Sequence, residues 1–276
     1  ALACDAAGVE SLINLGSLAS VPVAEAEMHL RRACQLAPDN PEAQTQFGIV
    51  LQQQKKWDEA AACYQQAVSL QPDWVRYNNL GLVWLNQKKL AQAEDALRHA
   101  LALSPDNPTV LNNLGNTLKA QGRFVEAIAC LRQAVAQRSE DAECQNNLGL
   151  ALHEHDHFTE AEACFRQAVE LKPDYAEAWR NLGTLLKDCT RFGEAEAAFR
   201  QALALQPELV QAHNNLAITL KDQGRLLESE ASFRQALALD PLYEGAFTNL
   251  LLLSQYVGHL SQAEVQALHR EFGDRF

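Results

Sequence analysis

Residues 174–207 read DYAEAWRNLGTLLKDCTRFGEAEAAFRQALALQP. Ala178, Trp179, Leu182, Leu185 and Leu186 recur at intervals of three and four, which places them on one face of a helix. Further on, Phe192, Ala195, Ala198, Phe199, Ala202 and Leu205 form a second such face. Thr190 falls between the two runs, at a turn, and Pro207 prevents the second from continuing as helix. The stretch is therefore helix, turn, helix and stop. Gly183, Ala195 and Ala202 are small enough for neighbouring helices to approach, and the larger Phe and Leu side chains fill the gaps between them.

Working outward, the stop returns at Pro38, Pro72, Pro105, Pro173, Pro207 and Pro241, with Ser139 in the one gap, at steps of 34 or 33 residues. Gly48, Gly81, Gly115, Gly149 and Gly183 form a second series, continued by Ala217 and Leu251. Ala60, Ala93, Ala127, Ala161, Ala195, Ser229 and Ala263 form a third, and Ala67, Ala100, Ala134, Ala168, Ala202 and Ala236 a fourth. The turn carries Gly122, Gly224 and Gly258 in three units and Asp156 and Thr190 in two, residue types suited in different degrees to positive φ. One period shared by four series means a stacked array, because a single helix pair cannot bury its apolar face alone.

The composition agrees. The 276 residues are 47% hydrophobic and only 7% aromatic, with 13 glycines and 9 prolines, too few for a loop-rich chain. With 23 basic against 35 acidic residues the formal charge is −12, which argues against nucleic acid or an anionic membrane as partner. No apolar run approaches the roughly 18 residues of a membrane span, and no basic-then-apolar leader opens the chain. It begins at Ala1, which reads as a fragment of something longer. The seven cysteines include no Cys-x-x-Cys, and Cys63, Cys130 and Cys164 share one place on an apolar helix face. They read as small buried hydrophobes in a reducing, cytoplasmic setting.

The set Trp179, Leu182, Gly183, Ala195, Phe199, Ala202 and Pro207 resembles the tetratricopeptide repeat. The resemblance implies an all-α, right-handed superhelical solenoid of helix-turn-helix repeats. Residues 1–38 would be a degenerate first unit, with Gly16, Ala26, Leu30, Ala33 and Pro38 in order, and 39–240 six units of about 34 residues. Residues 241–276 would be a partial repeat ending in a capping or junction helix near Ser261 to Phe272.

Such arrays expose the first helix of each pair on a concave wall. Two residues before the small Gly or Ala stand Gln46, Asn79, Asn113, Asn147, Asn181, Asn215 and Asn249. Beside them runs a partial column of Asn78, Asn112, Asn146 and Asn214. Asn is a mediocre helix former, so a column of it asks for a reason. One reading is a ladder of amides that holds the backbone of an extended protein or peptide partner. Layers about 10 Å apart and extended residues of about 3.3 Å give one contact every three residues. Lys119, Lys187 and Lys221, in the last turns of first helices, complete the expected binding set. The other reading is that each Asn bonds the neighbouring repeat and locks the stack. The two can coexist.

The column is similar to the asparagine ladder of O-linked N-acetylglucosamine transferases, and the triplets Asn113 to Gly115 and Asn215 to Ala217 look like theirs. The last stretch, from Asn249 through Leu260 to His269 and Phe276, resembles the junction to the catalytic domain in bacterial and SPINDLY-type members. That resemblance implies a substrate-recognition region whose catalytic domain lies beyond Phe276. The chain itself offers no Gly-rich phosphate loop, dinucleotide fingerprint or paired nucleophile and base, so no enzyme and no cofactor are expected of it.

His153 to His157 reads His-Glu-His-Asp-His and satisfies the zinc-protease pattern His-Glu-x-x-His. Its alignment with the turns at Lys119 to Arg123 and Lys221 to Arg225 puts it where a helix ends, so no metal site is expected. Turn cations Lys56, Lys89, Arg123, His157, Arg191 and Arg225, and turn acids Asp39, Asp73, Asp106, Glu140, Asp174 and Glu208, are read as partners of helix dipoles. A clamp for a chaperone's C-terminal carboxylate would need cations three before the Gly, where only Arg180 qualifies. The alternative function is an assembly scaffold. It would use the convex face, around Arg132 and Arg166, or form a homo-oligomer through Leu12, Ile13, Leu15 and Leu18.

Overall fold

The computed structural model describes residues 2–18, 20–256 and 262–275. Among them are sixteen helices and no strand. They fall into pairs: α1 Leu2–Ser17 with α2 Val23–Leu36, α3 Pro41–Gln53 with α4 Trp57–Leu70, α5 Trp74–Asn86 with α6 Leu90–Leu103, and α7 Pro108–Ala120 with α8 Phe124–Gln137. These make one compact unit. A second unit holds α9 Ala142–Glu154 with α10 Phe158–Leu171, α11 Ala176–Asp188 with α12 Phe192–Leu205, α13 Val210–Asp222 with α14 Leu226–Leu239, and α15 Glu244–Ser254 with α16 Gln262–Arg275. The fold is the all-α stack of helix pairs that the period implies.

Within a pair the two helices pack on each other, and within each unit the second then packs on the first helix of the next pair. The small residues make this possible. A Cβ built on Gly115 would stand 2.5 Å from Leu131 Cγ, and one on Gly183 would stand 2.8 Å from the Phe199 ring. Leu30, Leu51, Tyr64 and Leu80 join neighbouring pairs in the core of the first unit, and Phe233, Phe247 and Leu250 do so in the second. Phe272 of α16 lies with its ring 5.5 Å from that of Phe247, so the last helix covers the end of the core.

The turns within pairs carry the expected backbone. Gly122 and Gly224 have φ of 76° and 78°, and Asp156 and Thr190 have 62° and 60°. Lys55 and Lys88 occupy the same place at 59° and 58°, which their residue type does not announce. Gly258 and Ser261 lie outside the described residues. The acids between pairs need a correction. The side chains that cap first helices are Asn40, Asp73, Asn107 and Asp141, which accept from backbone N–H groups two or three residues on. Three of these stand one residue after the acids at Asp39, Asp106 and Glu140, because the cap must sit where the chain enters the helix.

Candidate partner-binding face

Within each unit, first helices of successive pairs touch: α5 with α7, and α9, α11, α13 and α15 in series. Among the described residues the second helices make no comparable contact with each other. Each stack therefore bends with its first helices on the inside, and these carry both asparagine columns.

The two columns are joined to each other. Asn113 Nδ2 donates to Asn78 Oδ1 at 2.8 Å, Asn181 Nδ2 to Asn146 Oδ1 at 2.8 Å, and Asn249 Nδ2 to Asn214 Oδ1 at 3.4 Å. Each bond crosses from one pair to the previous one. Asn214 in turn donates to Asn215 Oδ1 at 3.3 Å. Where Arg180 interrupts the acceptor column, Asn215 Nδ2 turns instead to Thr184 Oγ1 at 3.1 Å. The acceptor column, Asn78, Asn112, Asn146 and Asn214, is buried. Asn147 and Asn181 are buried too, whereas Asn79, Asn113, Asn215 and Asn249 are half-buried. Asn79 makes no side-chain hydrogen bond among the described residues.

A carboxamide has two N–H groups and an oxygen with two lone pairs. The bond to Asn78 uses one N–H of Asn113, leaving its oxygen and second N–H. Interlayer locking thus occupies only some of the polar atoms of such a side chain. Lys119 and Lys187 are half-buried and Lys221 is exposed. Lys187 Nζ lies 2.5 Å from Asp188 Oδ1, and Lys221 Nζ 3.5 Å from Asp222 Oδ1, so both ammonium groups are locally neutralised.

A second ladder, between carboxylates and turn cations, also joins successive pairs, and sequence reasoning missed it. Glu27, Glu94, Glu162 and Glu196 each follow the small residue of the second helix. Each reaches the turn cation of the next pair: Lys56 at 2.9 Å, and Arg123, Arg191 and Arg225 at 2.7 Å. Bonds from Arg31, Lys56 and Gln54 hold the Glu27 carboxyl down to about 2. Burial raises the Glu94 carboxyl, and bonds from Arg98, Gln121 and Arg123 override it, again to about 2. The turn cations therefore tie layers together, and their role is not confined to helix dipoles. They stand at the N-caps of second helices and make no side-chain cap there.

The histidine cluster does not sit on one continuous helix. α9 ends at Glu154, His155 follows as C-cap and Asp156 has positive φ. His153 Nε2 lies 3.0 Å from Asp188 Oδ2 and ties α9 to α11. Cys34, Cys63, Cys130, Cys144, Cys164 and Cys189 are thiols. Burial pushes Cys34 up to about 12 and Cys63 up to about 11, which keeps both as thiols and not thiolates at neutral pH. Of the first-unit residues named for self-association, Ile13 is buried and Leu12 half-buried, while Leu15 and Leu18 are exposed.

Residues 106–174 match one tetratricopeptide repeat family, and residues 45–108 and 190–244 match another of the same description. No curated protein matches the chain. Among solved structures, a chain of the APC/C hetero-tetramer Cut9-Hcn1 aligns with TM-score 0.70 and 20% identity. The alignment covers 77% of this chain but only 42% of that one. A tetratricopeptide repeat protein from Parabacteroides merdae aligns with TM-score 0.73 and 15% identity over 90% of this chain and 99% of its own. YrrB, described as a TPR protein with an unusual peptide-binding site, aligns with TM-score 0.51 and 22% identity over 66% and 95%. At these identities the likeness is one of fold.

Proposed function

The chain belongs to the tetratricopeptide repeat family, and from that premise we propose that its first helices bind an extended segment of a partner protein through the column Asn79, Asn113, Asn147, Asn181, Asn215 and Asn249. The fold is that of a protein–protein interaction scaffold. The observation that supports the finer reading is the split use of the amides: half-buried Asn113 and Asn249 spend one N–H between layers and keep their oxygens. Each amide contact with the guest adds roughly 1 kcal/mol net, less the cost of ordering the guest, and the sum is a micromolar binder that reads backbone more than side chain. Lys119, Lys187 and Lys221 flank the column. YrrB's peptide-binding site is a parallel within the same fold.

Asn79 is the cleanest test, because it holds no other layer in place. Asn79→Ala is expected to weaken capture of an unstructured peptide pool severalfold while leaving helicity and the unfolding midpoint unchanged. Unchanged capture would remove the ladder from the argument. We further propose that the region delivers protein substrates to an O-glycosyltransferase domain, on the resemblance of the column and of residues 249–276, and that it works in the reducing cytoplasm. Sequencing the gene past Phe276 tests the first part.

A second reading has an observation of its own. Asn181 and Asn146 are bonded to one another and buried, as an assembly scaffold that merely locks its layers would have them. Arg132→Glu or Arg166→Glu, on the second helices, would then abolish partner binding while Asn79→Ala would not.

A further inference from the structure

The interlayer joints of this chain differ in one informative respect. At two of the three joints with a turn arginine, where a glutamine stands two residues before it, the cation makes two kinds of contact. Arg123 Nη1 donates to Glu94 at 2.7 Å and to Gln121 Oε1 at 2.9 Å, and Arg225 Nη1 donates to Glu196 at 2.7 Å and Gln223 Oε1 at 3.1 Å. In each case the glutamine's own Nε2 donates to the same carboxylate. Carboxylate, carboxamide and guanidinium close a triangle in which every polar atom has a partner.

At the joint between α4 and α5–α6 the triangle is open. Ala61 stands where Glu94 and Glu196 stand, and Lys89 where Arg123 and Arg225 do. Asp58 takes over as the carboxylate: Gln87 Nε2 donates to Asp58 Oδ1 at 2.9 Å, and Lys89 Nζ lies 3.6 Å from the same oxygen. Nothing takes over from the guanidinium. Gln87 Oε1 is the one buried side-chain polar atom without a hydrogen-bond partner among the described residues. Gln87 lines a cleft of about 470 Å³ whose walls also include Trp57, Asp58, Glu59, Lys55, Lys56 and Lys89.

We propose that this cleft receives an arginine side chain from a partner protein, which donates to Gln87 Oε1 and Asp58 as Arg123 and Arg225 do within the chain. A buried acceptor left unpaired costs roughly 1–3 kcal/mol, so the joint gains by admitting a donor. The donor is a guanidinium and not an ammonium. At both joints with a turn lysine the Nζ goes to the carboxylate, Lys56 to Glu27 and Lys89 to Asp58, with no bond to Gln54 or Gln87. In both arginine joints Nη1 alone reaches the two acceptors, held there because Nε and Nη2 of the planar fork bind Glu126 or Glu228, whereas an ammonium on a flexible stem has no such anchor. Of the lysines at the rim, Lys56 is neutralised by Glu27 and Lys89 by Asp58, and the −12 charge of the chain favours a cationic visitor. Trp57 offers an aromatic wall of the kind guanidinium groups stack against. The site lies at the turns, away from the asparagine columns, and does not depend on them.

The test uses the full chain labelled with ¹⁵N and two probes, acetyl-arginine methylamide and acetyl-lysine methylamide. The arginine probe is expected to shift the Gln87 side-chain amide and the Trp57 indole resonances saturably, at least fivefold more tightly than the lysine probe. Lys89→Arg supplies the missing group from within, so it should raise the unfolding midpoint and abolish the arginine-induced shifts. Gln87→Leu should abolish them without closing the cleft. Equal response to both probes, no response at Gln87, or a Lys89→Arg variant that still binds arginine like the parent would each overturn the proposal.

Discussion

Gly183 and Gly193 flank the same turn and should respond oppositely to one added methyl group. Gly183 faces Phe199, and its Cβ would meet the ring at 2.8 Å. Gly183→Ala is expected to lose about 1–3 kcal/mol through overpacking, only partly offset by better helix propensity. Gly193 lies in the first turn of α12 with nothing within 4 Å of a Cβ. Gly193→Ala should gain about 0.5 kcal/mol by restricting the unfolded chain. Urea unfolding of both variants checks the pair of signs, and two losses would contradict the packing account of the small-residue series. Arg76 shows what residue type alone conceals. It stands where other first helices carry Ala43, Val110 and Ala178, yet it is buried. Its Nε donates to Thr45 at 2.9 Å, and Nη1 and Nη2 reach Asp73 and Glu42. No local spacing marks it, because two of these partners belong to the preceding pair.

Helices, turns and stops were legible because they are written in contiguous residues: periodic apolar positions, a turn residue, a proline. The ties between elements were not, because their partners lie 27 to 35 residues apart. The signal was present all the same, in the Glu that follows the small residue and the cation 29 positions later. These ties set the pH response. The carboxyls of Glu27, Glu94, Glu162 and Glu196 are depressed in the folded chain, the first two to about 2. A carboxyl whose pKa is lower folded than unfolded stabilises fully above its unfolded value and stops doing so as pH falls through the folded one. The unfolding free energy should therefore stay level from pH 7 to about 5 and fall between about 4.5 and 2. Glu94→Gln should lower the plateau and flatten part of that fall in a pH series of urea melts. A variant that loses nothing at pH 7 would mean the joint contributes no stability.

At the scale of the molecule, contacts within each unit run from each pair to the next, so a unit's stability is a sum over its pairs and joints. Residues 1–138 form one compact unit with its own buried clusters around Leu51, Leu80, Leu97 and Leu114. Expressed alone, that segment should keep its share of helical circular dichroism and melt in a single transition; a featureless spectrum would show that the unit borrows its stability from outside. The amide-to-amide bonds carry a consequence for how such an array ages. Spontaneous deamidation of Asn113 exchanges its NH₂ for a second oxygen, a mass change of about one dalton. The lost donor is the group that faces Asn78 Oδ1, so two acceptors, one now anionic, would confront each other across the seam. Asn113→Asp reproduces that lesion and should cost about 1–3 kcal/mol, more than Asn113→Ser. The clock of such a protein would then be set at its seams, one hydrolysed amide at a time.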